Sequence, residues 1–369
     1  MTNTKIITII TDNPKIKHFQ KDLLCLALNS TENEKLQKSI VEIYSNTKIT
    51  SRYLDTLDFY DKNKFFKIDE RMNYFKSKAI EYIVDIVETA LKQSNLTNND
   101  IHKIIFISST CILAPSLDIE IIKKLKLPNT IERTNILFMG CAAGIMGIKN
   151  AYEYLKGSSC RNKDKSKNVL MISMELSSIH IHFKEEINNI ITHSIFSDGF
   201  SATILSSNSQ NNSQNNSQNN EDKSISVLDT FSYVIDDTED GIVLSIDEYS
   251  ISCNLSKNLP KYIQDNISYA LNLFLEKNNL SFSDIGFWAV HPGGRKIIES
   301  VQKSLNLTDE QLHASWNVLD NFGNMLSVSI MFVLKEFMNT SCKTQGSVYC
   351  IAFSFSPGVG IEFILFKKE

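Results

Sequence analysis

Short β-branched apolar runs recur along this chain with room for helices between them, and that alternation constrains the fold more than any other feature. The runs lie at Ile6 to Ile10, Ile104 to Ser108, Asn135 to Phe138, Val169 to Ser173, Phe287 to Val290 and Val348 to Phe353, and each reads as a buried strand. Between them the clearest helix spans roughly Asp69 to Lys92, where Ile80, Ile83, Val87, Ala90 and Leu91 recur at helical spacing and Asp69 can cap the start. Strands alternating with long helices predict an α/β layered architecture. The 369 residues, 42% of them hydrophobic, suffice for a large core, as one big unit or two closely packed halves.

Charge and cysteine usage exclude several classes. A formal net charge of -4 gives no reason to expect nucleic acid as a partner, and an anionic substrate must then be met by a local basic patch. The apolar run near Met1 is too short for a signal-peptide core, and no stretch approaches the roughly 20 apolar residues of a membrane span, so a cytoplasmic protein is expected. Seven cysteines (Cys25, Cys111, Cys141, Cys160, Cys253, Cys342 and Cys350) are scattered without a Cys-x-x-Cys pair, which indicates neither a disulfide framework nor a zinc site.

A repetitive Ser, Gln and Asn segment at 206–220 has no apolar anchor to offset its ordering entropy and is expected to be a disordered surface loop. It marks a seam between a first half, 1–220, and a second, 221–369. The halves show a faint repeat. In the first, a strand leads into Gly140-Cys141 and then a helix through Leu155; in the second, Phe322-Gly323-Asn324 precedes an apolar helix from Met325 to about Phe337. Cys141 and Asn324 are thereby expected at equivalent helix starts, facing one shared cavity.

Three glycine-bearing motifs carry the chemistry: Gly140-Cys141-Ala142-Ala143-Gly144, His291-Pro292-Gly293-Gly294 and Asn321-Phe322-Gly323-Asn324. Taken singly, each has an ordinary reading as a small core residue, a strand-end histidine or a helix N-cap. Their combination points elsewhere. A thiol near a helix amino terminus or a histidine is expected to have a lowered pKa and to act as a nucleophile. Asparagine cannot serve as a base, so its pairing with histidine suggests two donors aimed at one oxygen, as the decarboxylation of a malonyl thioester to an enolate requires.

These motifs resemble those of the type III polyketide synthases, the chalcone and stilbene synthase family of the thiolase-like superfamily. The likeness runs almost end to end: Phe138-Met-Gly-Cys-Ala-Ala-Gly144 resembles the family's nucleophile motif, Trp288-Ala-Val-His-Pro-Gly-Gly294 its histidine motif and Asn321-Phe-Gly-Asn-Met325 its asparagine motif. Glu175, the run Ile195-Phe-Ser-Asp-Gly199 and the carboxy-terminal Ser354 to Glu362 also line up with family landmarks. The resemblance implies a layered αβαβα fold built from two similar halves and a homodimer. It implies coenzyme A thioesters, an acyl-CoA starter and malonyl-CoA, as substrates, with no metal, flavin or nicotinamide. Cys141 would carry the acyl chain, His291 would lower the thiol pKa, and His291 with Asn324 would stabilise the thioester oxygen.

The same resemblance assigns substrate contacts. Phe196 falls on a gatekeeper aromatic between the coenzyme A tunnel and the initiation cavity, while His180 and Leu326 fall on positions that line the cavity. Arg52, in Ser51-Arg52-Tyr53, matches part of the basic cluster at the tunnel mouth. Arg295 and Lys296, beside Gly293-Gly294 at a helix start, can also meet phosphate. Departures cluster where the family sets specificity. Ser354 and Ser356 replace glycines and are expected to narrow or reshape the cavity, and Ala114 replaces a larger residue that reaches across the dimer interface. No aromatic residue occupies Ile251 to Leu255, which favours an aliphatic starter. A ketoacyl synthase of the fatty-acid initiation type and an inactive acyl-binding relative remain as alternatives.

Overall fold

The computed structural model describes residues 3–61, 64–161, 166–208, 224–341 and 347–369. Its strands, in chain order, are β1 (Asn3–Asp12), β2 (Lys17–Phe19), β3 (Ser51–Tyr53), β4 (Ile101–Ser108), β5 (Glu132–Leu137), β6 (Asn168–Leu176), β7 (Asp198–Asn208), β8 (Ile225–Val234), β9 (Ile242–Ile246), β10 (Ile251–Leu255), β11 (Ile285–Val290), β12 (Val348–Ser356) and β13 (Gly360–Lys368). The helices are α1 (Gln20–Asn29), α2 (Glu34–Ser45), α3 (Ile68–Gln93), α4 (Leu117–Lys124), α5 (Ala143–Arg161), α6 (Ile187–Ile195), α7 (Leu259–Lys277), α8 (Arg295–Leu305), α9 (His313–Phe322) and α10 (Ser329–Asn339). Among the described residues no helix is long and apolar enough to cross a membrane.

Nine strands form one mixed sheet in the order β11-β12-β13-β8-β1-β7-β6-β4-β5. Two half-sheets meet where Thr4 to Ile6 of β1 pair with Val227 to Ile225 of β8. Strand periodicity assigns each side chain to a layer. On β4, Ile104 and Phe106 face the outer helices α1 to α4, whereas Ile105 and Ile107 face the middle of the molecule. On β12, Ile351 and Phe353 pack with the outer helices α7 and α8, whereas Cys350 and Ala352 face the middle. The middle layer is α5 and α10, and α10 is apolar nearly all round because both half-sheets cover it. Helix, sheet, helix, sheet, helix is the thiolase-like layering that the resemblance implies.

Local departures have local causes. β5 stops at Leu137, before the expected Phe138, because Phe138 takes a left-handed φ of 60°. The cap of α3 is Lys67, whose N–H donates to the Glu70 carboxylate at 2.8 Å, and Asp69 lies inside the first turn. Residues Leu326–Val328 form a 3-10 turn ahead of α10. Ser206, Ser207 and Asn208, expected to be part of a disordered loop, belong to β7 and pair with Lys5, Thr4 and Asn3, since ladder bonds satisfy a polar strand as well as an apolar one. The rest of that segment, 209–220, lies outside the described residues.

Candidate active site

Cys141 sits in a 3-10 turn, Gly140–Ala142, between β5 and α5. Gly140 has a φ of +55°, a left-handed conformation that glycine adopts without strain, and its N–H donates to Ser109 Oγ at 2.9 Å. Gly144, the second residue of α5, leaves no room for a side chain: a Cβ there would lie 2.9 Å from Ile330 Cγ2 and would strike the Ser327 carbonyl. Glycine at this position lets α5 approach the start of α10, which brings Cys141 to Asn324. The sulfur lies 3.8 Å from Asn324 Nδ2 and 3.9 Å from Asn324 Oδ1.

The Asn324 amide is oriented by the backbone. Its Oδ1 accepts the Leu326 N–H at 2.9 Å and its Nδ2 donates to the Gly293 carbonyl at 3.0 Å, so the amide cannot flip without losing both. Its own backbone bridges Phe196: Asn324 N–H donates to the Ile195 carbonyl at 2.8 Å, and Ser197 N–H to the Asn324 carbonyl at 2.9 Å. His291 leaves the end of β11 with its N–H on the Phe353 carbonyl at 3.0 Å. Its imidazole is buried, and both ring nitrogens lack a hydrogen-bond partner among the described residues. A Cβ on Gly293 would lie 3.3 Å from the His291 ring, so glycine keeps the edge of the imidazole open.

Burial works against the thiolate that the sequence suggests. Burial pushes the Cys141 thiol well above its ordinary value, reinforced by nearby Cys253 and opposed by the Asn324 amide. Burial likewise lowers His291 to about 3, with the Asn324 side chain pulling the other way. Both shifts favour the uncharged forms of the thiol and the imidazole.

Cys141, His291 and Asn324 line one chamber of about 50 Å³ together with Phe196, Leu326 and Phe355. Behind it lies a second cavity of about 110 Å³ lined by His180, and Phe196, Leu244, Cys253 and Leu326 border both. Phe196 thus stands between two spaces. In front, an open groove of about 520 Å³ shares Leu255, Leu259, Gly293 and Ile297 with the chamber. Gly294, Arg295, Lys296 and Lys257 line this groove; Arg295 is engaged with Glu299 at 2.7 Å, whereas Lys296 and Lys257 make no ion pair among the described residues. Neither Ser354 nor Ser356 lines the chamber. Strand alternation turns Phe355 toward it instead, which corrects the expectation that the serines reshape the cavity.

Arg52 is a further correction. Its side chain is completely buried, with Nε on Gln20 Oε1 at 2.9 Å and Nη1 on the carbonyls of His193 at 2.7 Å and Phe196 at 2.6 Å. It cannot meet a phosphate at a tunnel mouth; it clamps the end of α6 and so fixes the backbone that carries Phe196. Sequence reasoning also missed Ser109 and Ser327. Ser109 N–H at 3.0 Å and Ser327 Oγ at 2.6 Å both donate to the buried Glu175 carboxylate, which links the Cys141 turn to the Asn324 turn. No motif marks these serines. His193 was missed too, although its place one helical turn before Phe196 was a usable signal.

Layering and chamber together place the chain among the thiolase-like acyltransferases. Comparison with known proteins narrows this. Residues 27–281 match the family model for FAE1/type III polyketide synthase-like proteins, and residues 227–368 match the chalcone and stilbene synthase C-terminal domain. The alpha-pyrone synthesis polyketide synthase-like Pks18 of Mycobacterium tuberculosis is 34% identical over 335 residues, covering 89% of this chain and 82% of that protein. The structure of PKS-I from the brown alga Ectocarpus siliculosus superposes with a TM-score of 0.89 at 36% identity, over 100% of this chain and 99% of the alga's. The fold also matches 1,3,6,8-tetrahydroxynaphthalene synthase from Streptomyces coelicolor, with a TM-score of 0.87 at 20% identity over 100% of this chain and 99% of that one. The chain belongs to the type III polyketide synthase family, whose members join acyl units by Claisen condensation.

Proposed function

We propose that the protein extends an acyl-CoA starter by repeated decarboxylative condensation with malonyl-CoA and releases a cyclised pyrone, resorcinol or acylphloroglucinol. The observation that carries this reading is the fixed Asn324 amide, 3.8 Å from the Cys141 sulfur in a chamber shared with His291. Cys141 passes its proton to the neutral His291 as the sulfur attacks the starter thioester; coenzyme A leaves as its thiolate and takes that proton. Malonyl-CoA, delivered along the groove bordered by Lys257, Arg295 and Lys296, then loses carbon dioxide. The electron pair left behind moves onto the thioester oxygen, where the Asn324 amide and His291 donate hydrogen bonds. The enolate carbon attacks the acyl carbonyl on Cys141, so that a carbon–carbon bond forms, the carbon–sulfur bond breaks and the thiolate is regenerated. The product is a coenzyme A thioester two carbons longer, ready to reload.

The name of the mycobacterial relative favours a pyrone among the three products. The synthase works in the cytoplasm as a homodimer, which light scattering tests by the mass of two chains. Mass spectrometry after incubation with malonyl-CoA and acyl-CoA starters tests the chemistry. The expected result is acyl mass on Cys141 with cyclised polyketides in solution, and at least a roughly 10³-fold loss of product formation in Cys141→Ala. Acyl mass on Cys141→Ala equal to that on the intact protein refutes the assignment, and a single condensation that requires malonyl-carrier protein points to a fatty-acid initiation enzyme.

A further inference from the structure

The carbonyls at the end of a helix have no partner within it, and at the end of α6 four in a row are taken by donors from elsewhere in the chain. Arg52 Nη1 donates to the His193 carbonyl at 2.7 Å and to the Phe196 carbonyl at 2.6 Å, and Gln20 Nε2 donates to the Ser194 carbonyl at 2.7 Å. The Ile195 carbonyl accepts the Asn324 N–H at 2.8 Å. The main chain of Asn324 is thus one of the groups that end α6, and Arg52 and Gln20 hold the same end. These two are tied to each other, with Arg52 Nε donating to Gln20 Oε1 at 2.9 Å. The acceptors of the guanidinium are neutral oxygens, and the negative end of the α6 dipole compensates its buried charge.

The strand that carries Arg52 also holds the asparagine turn. The Arg52 stem packs on Gly323, where a Cβ would lie 2.9 Å from its Cγ and Cδ. Ser51 Oγ donates to the Asn321 carbonyl at 3.0 Å, and the Tyr53 ring stacks on Phe322 with centroids 5.8 Å apart. Toward α6, the Tyr53 N–H donates to Ser197 Oγ at 3.1 Å, and that hydroxyl donates to the Tyr53 carbonyl at 2.9 Å. Ser51, Arg52 and Tyr53 together therefore bind two segments, Asn321 to Gly323 and His193 to Ser197, which meet in the bridge between Phe196 and Asn324.

We propose that Arg52 is a positioning residue for decarboxylation: by fixing the end of α6 it fixes the main chain of Asn324, and so the place from which the amide reaches the enolate oxygen. The proposal rests on the polyketide synthase reading above. The Leu326 N–H and the Gly293 carbonyl set the rotation of that amide. Arg52 sets the position of the backbone that bears it. A displacement of ~1 Å in such a group can cost ~10²-fold in rate. Arg52 itself touches no substrate in this scheme, so its loss acts on kcat rather than on malonyl-CoA binding.

The test is a mutant cycle on carbon dioxide release from malonyl-CoA, measured with acetyl-, hexanoyl- and decanoyl-CoA as starters and with kcat and KM separated. Arg52→Met keeps a stem against Gly323 but removes the donors; it should lower kcat about 30-fold and leave the KM for malonyl-CoA within about threefold. Asn324→Ala removes the amide and keeps the backbone bridge. In that background Arg52→Met should lower the residual kcat by less than about threefold, because the group it positions is gone. Equal losses in the two backgrounds would mark Arg52 as general scaffold and overturn the assignment, as would a raised KM at unchanged kcat. If Arg52→Met does not fold, Gln20→Met, which releases the Ser194 carbonyl and Arg52 Nε, goes through the same cycle with an expected loss of about fivefold against less than about twofold. Two results sink the synthase mechanism itself: no carbon dioxide release by the intact enzyme with any starter, or an Asn324→Ala variant as active as the intact enzyme. When both of those tests are passed, the cycle judges Arg52 alone.

Discussion

Cys141 and Asn324 each follow a glycine of positive φ, Gly140 at +55° and Gly323 at +70°, and each precedes a helix of the middle layer, yet the two side chains are held in opposite ways. Asn324 is locked by the Leu326 N–H and the Gly293 carbonyl. Among the described residues the Cys141 sulfur has hydrogen-bonding contact with the Asn324 amide alone, at 3.8 and 3.9 Å. A donor that stabilises developing charge works best when already in place, because reorienting it would cost energy during the reaction. A nucleophile must instead exchange partners at every step. Under the proposed mechanism the difference between the turns is a division of labour, and Glu175 ties the two turns together by accepting from Ser109 and from Ser327.

Removing the locked donor should have the largest effect. Asn324→Ala is expected to lower kcat by about 10²–10³-fold with a smaller change in KM, read from steady-state kinetics. Loss of the tie comes next. Glu175→Ala leaves Ser109 N–H, Thr110 Oγ and Ser327 Oγ without their acceptor, and urea denaturation should show a loss of about 3 kcal/mol or more. Glu175→Gln separates charge from geometry. Burial raises Glu175 from its ordinary value of 4.5 to about 7, so its contribution is full below pH about 4.5 and is lost as pH rises through about 7. Between those limits the intact protein should lose stability relative to the glutamine variant, and parallel curves would break the claim that burial raises this carboxyl group.

The glycines sharpen the comparison at smaller amplitude. A Cβ on Gly323 would lie 2.9 Å from Arg52 Cγ and Cδ and from the Ile195 carbonyl, at a φ of +70° and ψ of -161° that side chains avoid; on Gly140 it would meet nothing nearer than Pro357 Cδ at 3.6 Å. Gly323→Ala should cost about 3 kcal/mol and Gly140→Ala about 1 kcal/mol in thermal or urea unfolding. The subtlest effect is a pH profile. With the thiol raised and His291 neutral, iodoacetamide alkylation of Cys141 should climb only in the alkaline range. A reactive plateau between pH 5 and 7 would instead reveal a thiolate–imidazolium pair.

Much of this was legible in the chain. The apolar runs mark the principal strands because strands buried on both faces are mostly apolar, and α10 is apolar nearly all round because it is central. Cys141, His291 and Asn324 announce themselves through glycines that local geometry demands. Arg52 shows where legibility stops: nothing in Ser51-Arg52-Tyr53 distinguishes a solvated arginine from one enclosed by Gln20, His193 and Phe196. Those partners lie 32, 141 and 144 residues away.

The sequence by itself determined the alternation of strand and helix, the three motifs that supply the chamber's Cys141, His291 and Asn324, and the family, since each is written in local pattern and side-chain chemistry. Only the tertiary structure decided that burial raises the Cys141 thiol and lowers the His291 imidazole, that Arg52 is a clamp, and that Phe196 borders two spaces. The reason is common to all three. Burial and hydrogen-bond partners come from elements distant in the chain, and those partners set the free energy of a charge or a hydrogen bond.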